Sequence, residues 1–424
     1  MQILLNKRLL APLIVLLSAF NILPVGLLSV ANLDFLKVAS LCIFFLSLLR
    51  FRGYFNTDIK YATFFFLAIL LSALNMVSKG KYMDWTFFYC LNYLNLFLLL
   101  CSFKNIQDIK DYIGLLLSLC LIASFVHFIF YLDPSLLTGE LNRIRMGSLI
   151  LDARKIRVFI PAMGFIALMF TYLVSKLLYF KKLKAYEFIL LIAFFASIFI
   201  FASVRTYLLG LGVALVMLLL SGRLSFIKIL YFSGFVFISL FGLSLISSGM
   251  YEFIGERFNI FLQLKDFKFR DVLDLSVDYD NEQTFATVYF RIMEVIYVIQ
   301  NYSSGLRTIL FGNLGTLYDF LGVEMEIAPH ISIFGLYYLF GMVGLVTFLA
   351  FFIYYSKMII TNLKKFKRTH LEFLSITLAI FWFTLFAISF FGGIYYSELT
   401  LLVTFIIAAS IILKRHPLHE SIEN

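Results

Sequence analysis

The chain has 424 residues, 62% of them hydrophobic and 14% charged, with a formal net charge of +10 at neutral pH. Soluble globular domains carry about 45–50% apolar and about 25% charged residues, and surface-to-volume scaling leaves a soluble core no room for 52 phenylalanines. A soluble fold is excluded, and the positive balance reads as basic cytoplasmic loops of a membrane protein, not as nucleic-acid affinity.

A transmembrane helix takes about 20 mostly apolar residues, and on that rule about twelve spans are predicted. They lie at 9–30, 35–50, 61–78, 84–102, 110–132, 157–180, 186–203, 205–221, 226–248, 329–355, 371–391 and 396–413. The first apolar run follows Lys7 and Arg8 and has no small-residue cleavage site, so it is expected to stay as a signal anchor. Cys42, Cys90, Cys101 and Cys120 fall in apolar runs without metal-ligand spacing and read as small buried hydrophobes.

Lys and Arg collect in alternate short loops, among them Arg52, Lys60, Lys104, Lys182, Arg223, Lys365 and Arg415. The turns near Asn32, Gly80 and Gly393 hold only Lys79 and Lys81. This bias predicts that both termini are cytoplasmic. The expected layout is then spans one to nine over 1–248 with a basic periplasmic loop at 133–156, a large periplasmic loop at 249–328, and three spans with a cytoplasmic tail over 329–424.

The basic loop carries Arg143, Arg145 and Arg154, with Arg157 just after it. The larger loop opens on an acidic stretch. Over Gln283–Asn301 it shows Phe285, Val288, Ile292, Val295, Ile296 and Ile299 at three- and four-residue steps, which predicts an amphipathic helix with Arg291 at the edge of its stripe. Connections of this length usually carry structure and function. No internal repeat is visible, which counts against a transporter built from duplicated halves.

Walker, dinucleotide-binding, HExxH and GxSxG motifs are absent. No cofactor or metal is expected, and any chemistry must draw on a pre-activated substrate. Arg205 sits at an outer turn between two spans. It reads either as a fork of donors for a phosphate or as an arginine snorkelling to the interface. His330 opens the span beneath the large loop, where an imidazole suits work on a hydroxyl or a structural hydrogen bond. Arg291 and Arg257 lie in the large loop, where salt bridges are the bland alternative. For Arg291 the partner would be Glu294.

Five segments follow one another in order: Ser203-Val204-Arg205-Thr206 before Leu208-Leu209-Gly210-Leu211-Gly212; Tyr289-Phe290-Arg291; Leu310-Phe311-Gly312-Asn313-Leu314-Gly315; Pro329-His330-Ile331-Ser332; and Phe340-Gly341-Met342-Val343-Gly344-Leu345. In this order they resemble the O-antigen polymerase and O-antigen ligase superfamily of bacterial polytopic membrane glycosyltransferases. Ile331 stands where that family often has Asn, and the resemblance is closer to the polymerases.

The resemblance implies an all-α, GT-C-like membrane protein of the bacterial inner membrane, with a large, partly helical periplasmic loop. It implies joining of undecaprenyl-pyrophosphate-linked oligosaccharide repeat units, donor and acceptor alike, at the periplasmic face. On this reading His330, Arg291 and Arg205 are catalytic. Arg257, Arg143, Arg145, Arg154, Arg157 and Tyr289 bind substrate, and Tyr297 and Tyr318 are further stacking surfaces. The implied partners are the lipid bilayer, a chain-length regulator and a flippase, with no nucleic acid. The alternatives are a ligase delivering the glycan to lipid A core, a lipid-linked oligosaccharide flippase or transporter, and a non-enzymatic scaffold. A transporter would place charges at mid-membrane.

Overall fold

The structure, a computed structural model, describes residues 7–20, 30–51, 57–78, 90–133, 148–152, 155–160, 162–201, 206–222, 305–313, 318–320, 323–325, 332–389 and 399–417, with the single residues 227 and 234. In chain order these form α1 (Leu10–Phe20), α2 (Val30–Arg50), α3 (Thr57–Val77), α4 (Asn95–Ser102), α5 (Ile106–Leu132), β1 (Ser148–Asp152) and β2 (Lys155–Phe159). There follow α6 (Met163–Phe180), α7 (Ala185–Phe195, continued by a π-helical turn, Ala196–Phe201), α8 (Thr206–Leu220), α9 (Leu306–Phe311), β3 (Tyr318–Phe320), β4 (Val323–Met325), α10 (Ser332–Lys365), α11 (Glu372–Ser389) and α12 (Thr400–Arg415).

The described chain is a helical bundle with two antiparallel hairpins, β1–β2 and β3–β4. Among the described residues five helices are long and apolar enough to cross a membrane, over Asp58–Asn75, Ile106–Leu132, Met163–Phe180, Ile333–Lys365 and Glu372–Ser389. The polarity of the packing suits such surroundings. Leu49 is 82% and Phe125 63% exposed, whereas hydrogen-bonded polar side chains lie between the helices. Asn95 donates to Thr404 Oγ1 (2.8 Å), Asn362 to the Ser410 carbonyl (2.8 Å) and Trp382 Nε1 to Ser356 Oγ (2.8 Å). In lipid, apolar contact gives helices little reason to associate, so close packing and such bonds hold them together.

Local sequence explains the ends of several helices. At the start of α5, Asn105 accepts from Asp108 N (2.9 Å) and Asp108 accepts from Asn105 N (3.2 Å), a reciprocal cap. After α6, Lys181 turns the chain at φ 58°. Glu187 in the first turn of α7 then accepts from Lys184 N (3.1 Å) and Lys176 Nζ (2.5 Å).

Asp58, 4% exposed, gathers three elements at one end of the bundle. Its carboxylate meets Lys414 Nζ at 2.5 Å, Arg415 at 3.5 Å and the Tyr354 hydroxyl at 3.2 Å, while its carbonyl accepts from Tyr355 (2.8 Å). Asp58→Ala is expected to cost about 2–3 kcal/mol, because a buried acceptor set is lost and its donors are stranded. Lys414 is 43% exposed, so Lys414→Met should cost under ~1 kcal/mol. Thermal unfolding of the purified protein in detergent reads both, and equal shifts would contradict the assignment.

The structure corrects three sequence expectations. The span placed at 157–180 starts at Met163, because Lys155–Phe159 is a strand and Pro161 disfavours helix in the residue before it. The span placed at 329–355 runs on to Lys365, held by packing of Asn362 on α12. It is also not one helix, since Gly341, at φ 66° and ψ −166°, breaks it. The predicted span at 226–248 and the amphipathic stripe over Gln283–Asn301 lie outside the described residues, residues 227 and 234 of the former apart.

Candidate functional site

The two ends of the bundle differ in charge. Lys7, Arg8, Arg50, Lys104, Arg415 and Pro417 meet at one end, so both described termini lie there. Helices α3 and α5 begin at this basic end, at Asp58 and Asn105–Ile106. Helix α10 finishes there, with Lys365 Nζ donating to the Lys414 (2.8 Å) and His416 (2.7 Å) carbonyls. The opposite, distal end therefore holds the end of α3, the end of α5 and the start of α10.

Arg205, Arg291 and His330 lie outside the described residues, as do Arg257, Arg143, Arg145, Arg154, Tyr289 and Tyr297. Arg157 is described through its backbone, in β2 opposite Ile150, and Tyr318 in β3 opposite Met325. The described neighbours of Arg205 and His330 fall at the distal end. Phe201, ahead of Arg205 in the chain, packs its ring on His127 and Tyr131 at centroid distances of 5.3 and 4.6 Å. Ser332, just after His330, opens α10 at this end. Val158 of β2 accepts a 2.9 Å hydrogen bond from His127 Nε2.

His127 is therefore more than a polar residue in a span. It is 0% exposed and ties α5 to β2 and to the π-helical turn that precedes residue 202. Because a carbonyl only accepts, Nε2 carries the hydrogen. That leaves Nδ1 an acceptor, buried and without a partner among the described residues.

The other part of the distal end is built on glycine. Gly312, after α9, and Gly341, at the break in α10, cross with their backbones in contact. A Cβ on Gly312 would lie 2.4 Å from the Leu339 carbonyl carbon, and one on Gly341 would lie 2.4 Å from that of Leu310. The polar backbone freed at the break finds partners nearby. Asn313 N donates to the Tyr338 carbonyl (2.7 Å), Ser72 Oγ to that of Phe340 (3.4 Å) and Asn75 Nδ2 to that of Gly312 (3.4 Å). Broken helix at membrane depth persists where neighbouring groups satisfy it in this way. Arg307 of α9 donates to Ser78 Oγ, just past α3, and is exposed.

Sequence reasoning passed over Arg307, although it stands three residues before the glycine-rich turn. No local pattern identifies the partners of His127, which come from β2 and from the end of α7. Of the two glycines in the Leu208–Gly212 segment, Gly210 packs closely: a Cβ there would meet Thr384 Cγ2 at 2.8 Å. Among the described residues no group of three or more His, Cys, Asp and Glu side chains is placed to hold a metal. No protein-family model matches the chain, and no curated protein matches it at a significant level.

Proposed function

We propose that this chain is a polytopic inner-membrane glycosyltransferase that polymerises undecaprenyl-pyrophosphate-linked oligosaccharide repeat units at the periplasmic face. About twelve spans, both termini cytoplasmic and a site at the distal end follow from the loop charges and span lengths. The observation that carries the reading is the crossing of Gly312 and Gly341. Two of the motifs shared with O-antigen polymerases, Leu310–Gly315 and Phe340–Leu345, meet there. Both ends of the stretch that contains His330 are thereby pinned beside α3.

The chemistry asks little of a cofactor. A hydroxyl of the acceptor unit attacks the donor's anomeric carbon. The new C–O bond forms as the bond to the pyrophosphate oxygen breaks, and the hydroxyl proton passes to His330. The leaving group takes the electron pair as undecaprenyl pyrophosphate. Its developing charge is what Arg205 and Arg291 are placed in sequence to stabilise, and preorganised charge is commonly the largest catalytic contribution. Arg257, the basic loop with Arg143, Arg145, Arg154 and Arg157, and Tyr289 serve the lipid-linked glycan.

The test is the surface polysaccharide of a deletion strain carrying the wild-type or the His330→Ala gene. The variant should reach the membrane in normal amount yet give core bearing one repeat unit in place of long chains. Bare core would make the protein a ligase, and normal chain lengths would remove His330 from the mechanism.

A further inference from the structure

At the basic end, the turn before α1, the end of α2, α4, the start of α5 and the end of α12 enclose a cleft of about 1260 Å3. Five cationic side chains line it, Lys7, Arg8, Arg50, Lys104 and Arg415, and no carboxylate does among the described residues. Asp108 answers Arg8 at 3.7 Å and Asp58 answers Arg415 at 3.5 Å, both from outside the cleft. Among the described residues Lys7, Arg50 and Lys104 have no ion-pair partner. Between Arg50 and Lys104 the Cys101 thiol also lines the cleft and contacts the Ser47 carbonyl at 3.8 Å.

Basic residues at one end of a membrane protein are ordinary. Their gathering around one concavity, from four places in the chain, is a separate fact. Like charges held together repel one another, and an anion between them offsets that repulsion. Between the cations the wall is mixed: Ile43, Leu98 and Ile412 make it apolar on one part, and Ser47, Ser102 and Asn105 add polar groups. Leu46 lines the cleft and is itself 63% exposed, on the helix that also presents Leu49. The cavity thus has a cationic head region and an apolar flank open toward the lipid-facing side of α2.

We propose that this cleft binds an anionic phospholipid of the adjoining leaflet, its phosphate among Lys7, Arg50 and Lys104 and an acyl chain along the α2 wall. Basic pockets between helices at this depth suit such headgroups. The proposal rests on the bundle lying in a membrane and is independent of the transferase reading.

Native mass spectrometry of the purified full chain, titrated with phosphatidylglycerol or phosphatidylcholine, tests it. Phosphatidylglycerol should stay bound and phosphatidylcholine should not. Arg50→Gln combined with Lys104→Gln should weaken retention about thirty-fold, the equivalent of ~2 kcal/mol for two charges. Lys364→Gln with Lys367→Gln, exposed and outside the cleft, should leave it unchanged. Equal loss in both double variants, equal retention of the neutral lipid, or displacement by millimolar inorganic phosphate would overturn the proposal. So would binding that emerges only after removal of residues 418–424, since that would make the acidic tail with Glu420 and Glu423 the occupant.

Discussion

Gly341→Ala is expected to cost about 3–5 kcal/mol and to leave little folded protein in the membrane. Two costs add. A φ of 66° with ψ −166° belongs to a region open almost only to glycine, at about 1–3 kcal/mol for other residues. The new methyl would also lie 2.4 Å from the carbonyl carbon and oxygen of Leu310 and 2.5 Å from Phe311 N. These are backbone atoms of α9, so no rotamer relieves the clash. Forced overpacking costs about 1–3 kcal/mol more.

Gly312→Ala should behave alike, at φ 75° and 2.4 Å from the Leu339 carbonyl. Because both methyls pry open one crossing, the double variant should lose less than the sum of the single variants. Gly114 and Gly212 have nothing within 4 Å of an added Cβ. Alanine there should hold or raise Tm, by up to about 1 kcal/mol of helix propensity. Detergent thermal unfolding of the four single variants, with the Gly312/Gly341 double, measures all of this. A wild-type Tm for Gly341→Ala would mean that the crossing does not exist.

The second large effect concerns rate. On the proposed function, Arg205→Ala should lower turnover of the lipid-linked donor about 10²–10³-fold, the usual loss when one preorganised donor to a developing charge is removed. Arg205→Lys is the sharper experiment. A snorkelling arginine is replaced freely by lysine, since both reach the interface on an apolar stem. A pyrophosphate held by a planar fork is not, because an ammonium offers a point charge in place of two parallel hydrogen bonds. Turnover by purified Arg205→Lys, normalised to protein amount, should therefore fall at least about tenfold. Full activity in that variant would assign Arg205 to the interface alone.

The candidate site was only partly legible in the sequence. Arg205, Arg291 and His330 stood out because charged and titratable groups are conspicuous at the edges of apolar runs. Phe201 and Ser332, which flank Arg205 and His330, lie at one end of the bundle, and Arg291 with its neighbours lies outside the described residues. His127 carried no such cue, since its partners, Val158 and Phe201, lie far along the chain. The glycine motifs were visible as spacing. Their role as a backbone crossing required α9 and α10 to be seen side by side.

By itself the sequence determined that long apolar helices would form, near where most of them begin and end, and that Lys and Arg would gather at one end of the bundle. These are sums over some twenty neighbouring residues, because the preference of a segment for lipid does not depend on what packs against it. Tertiary structure decided the break at Gly341, the extension of α10 to Lys365, the strand at Lys155–Phe159 and the convergence of Lys7, Arg50, Lys104 and Arg415 on one cleft. The break, the extension and the cleft depend on contacts between residues distant in the chain, which no window along the sequence contains together; the strand pairs with its neighbour Ser148–Asp152 but is also tied to His127 of α5.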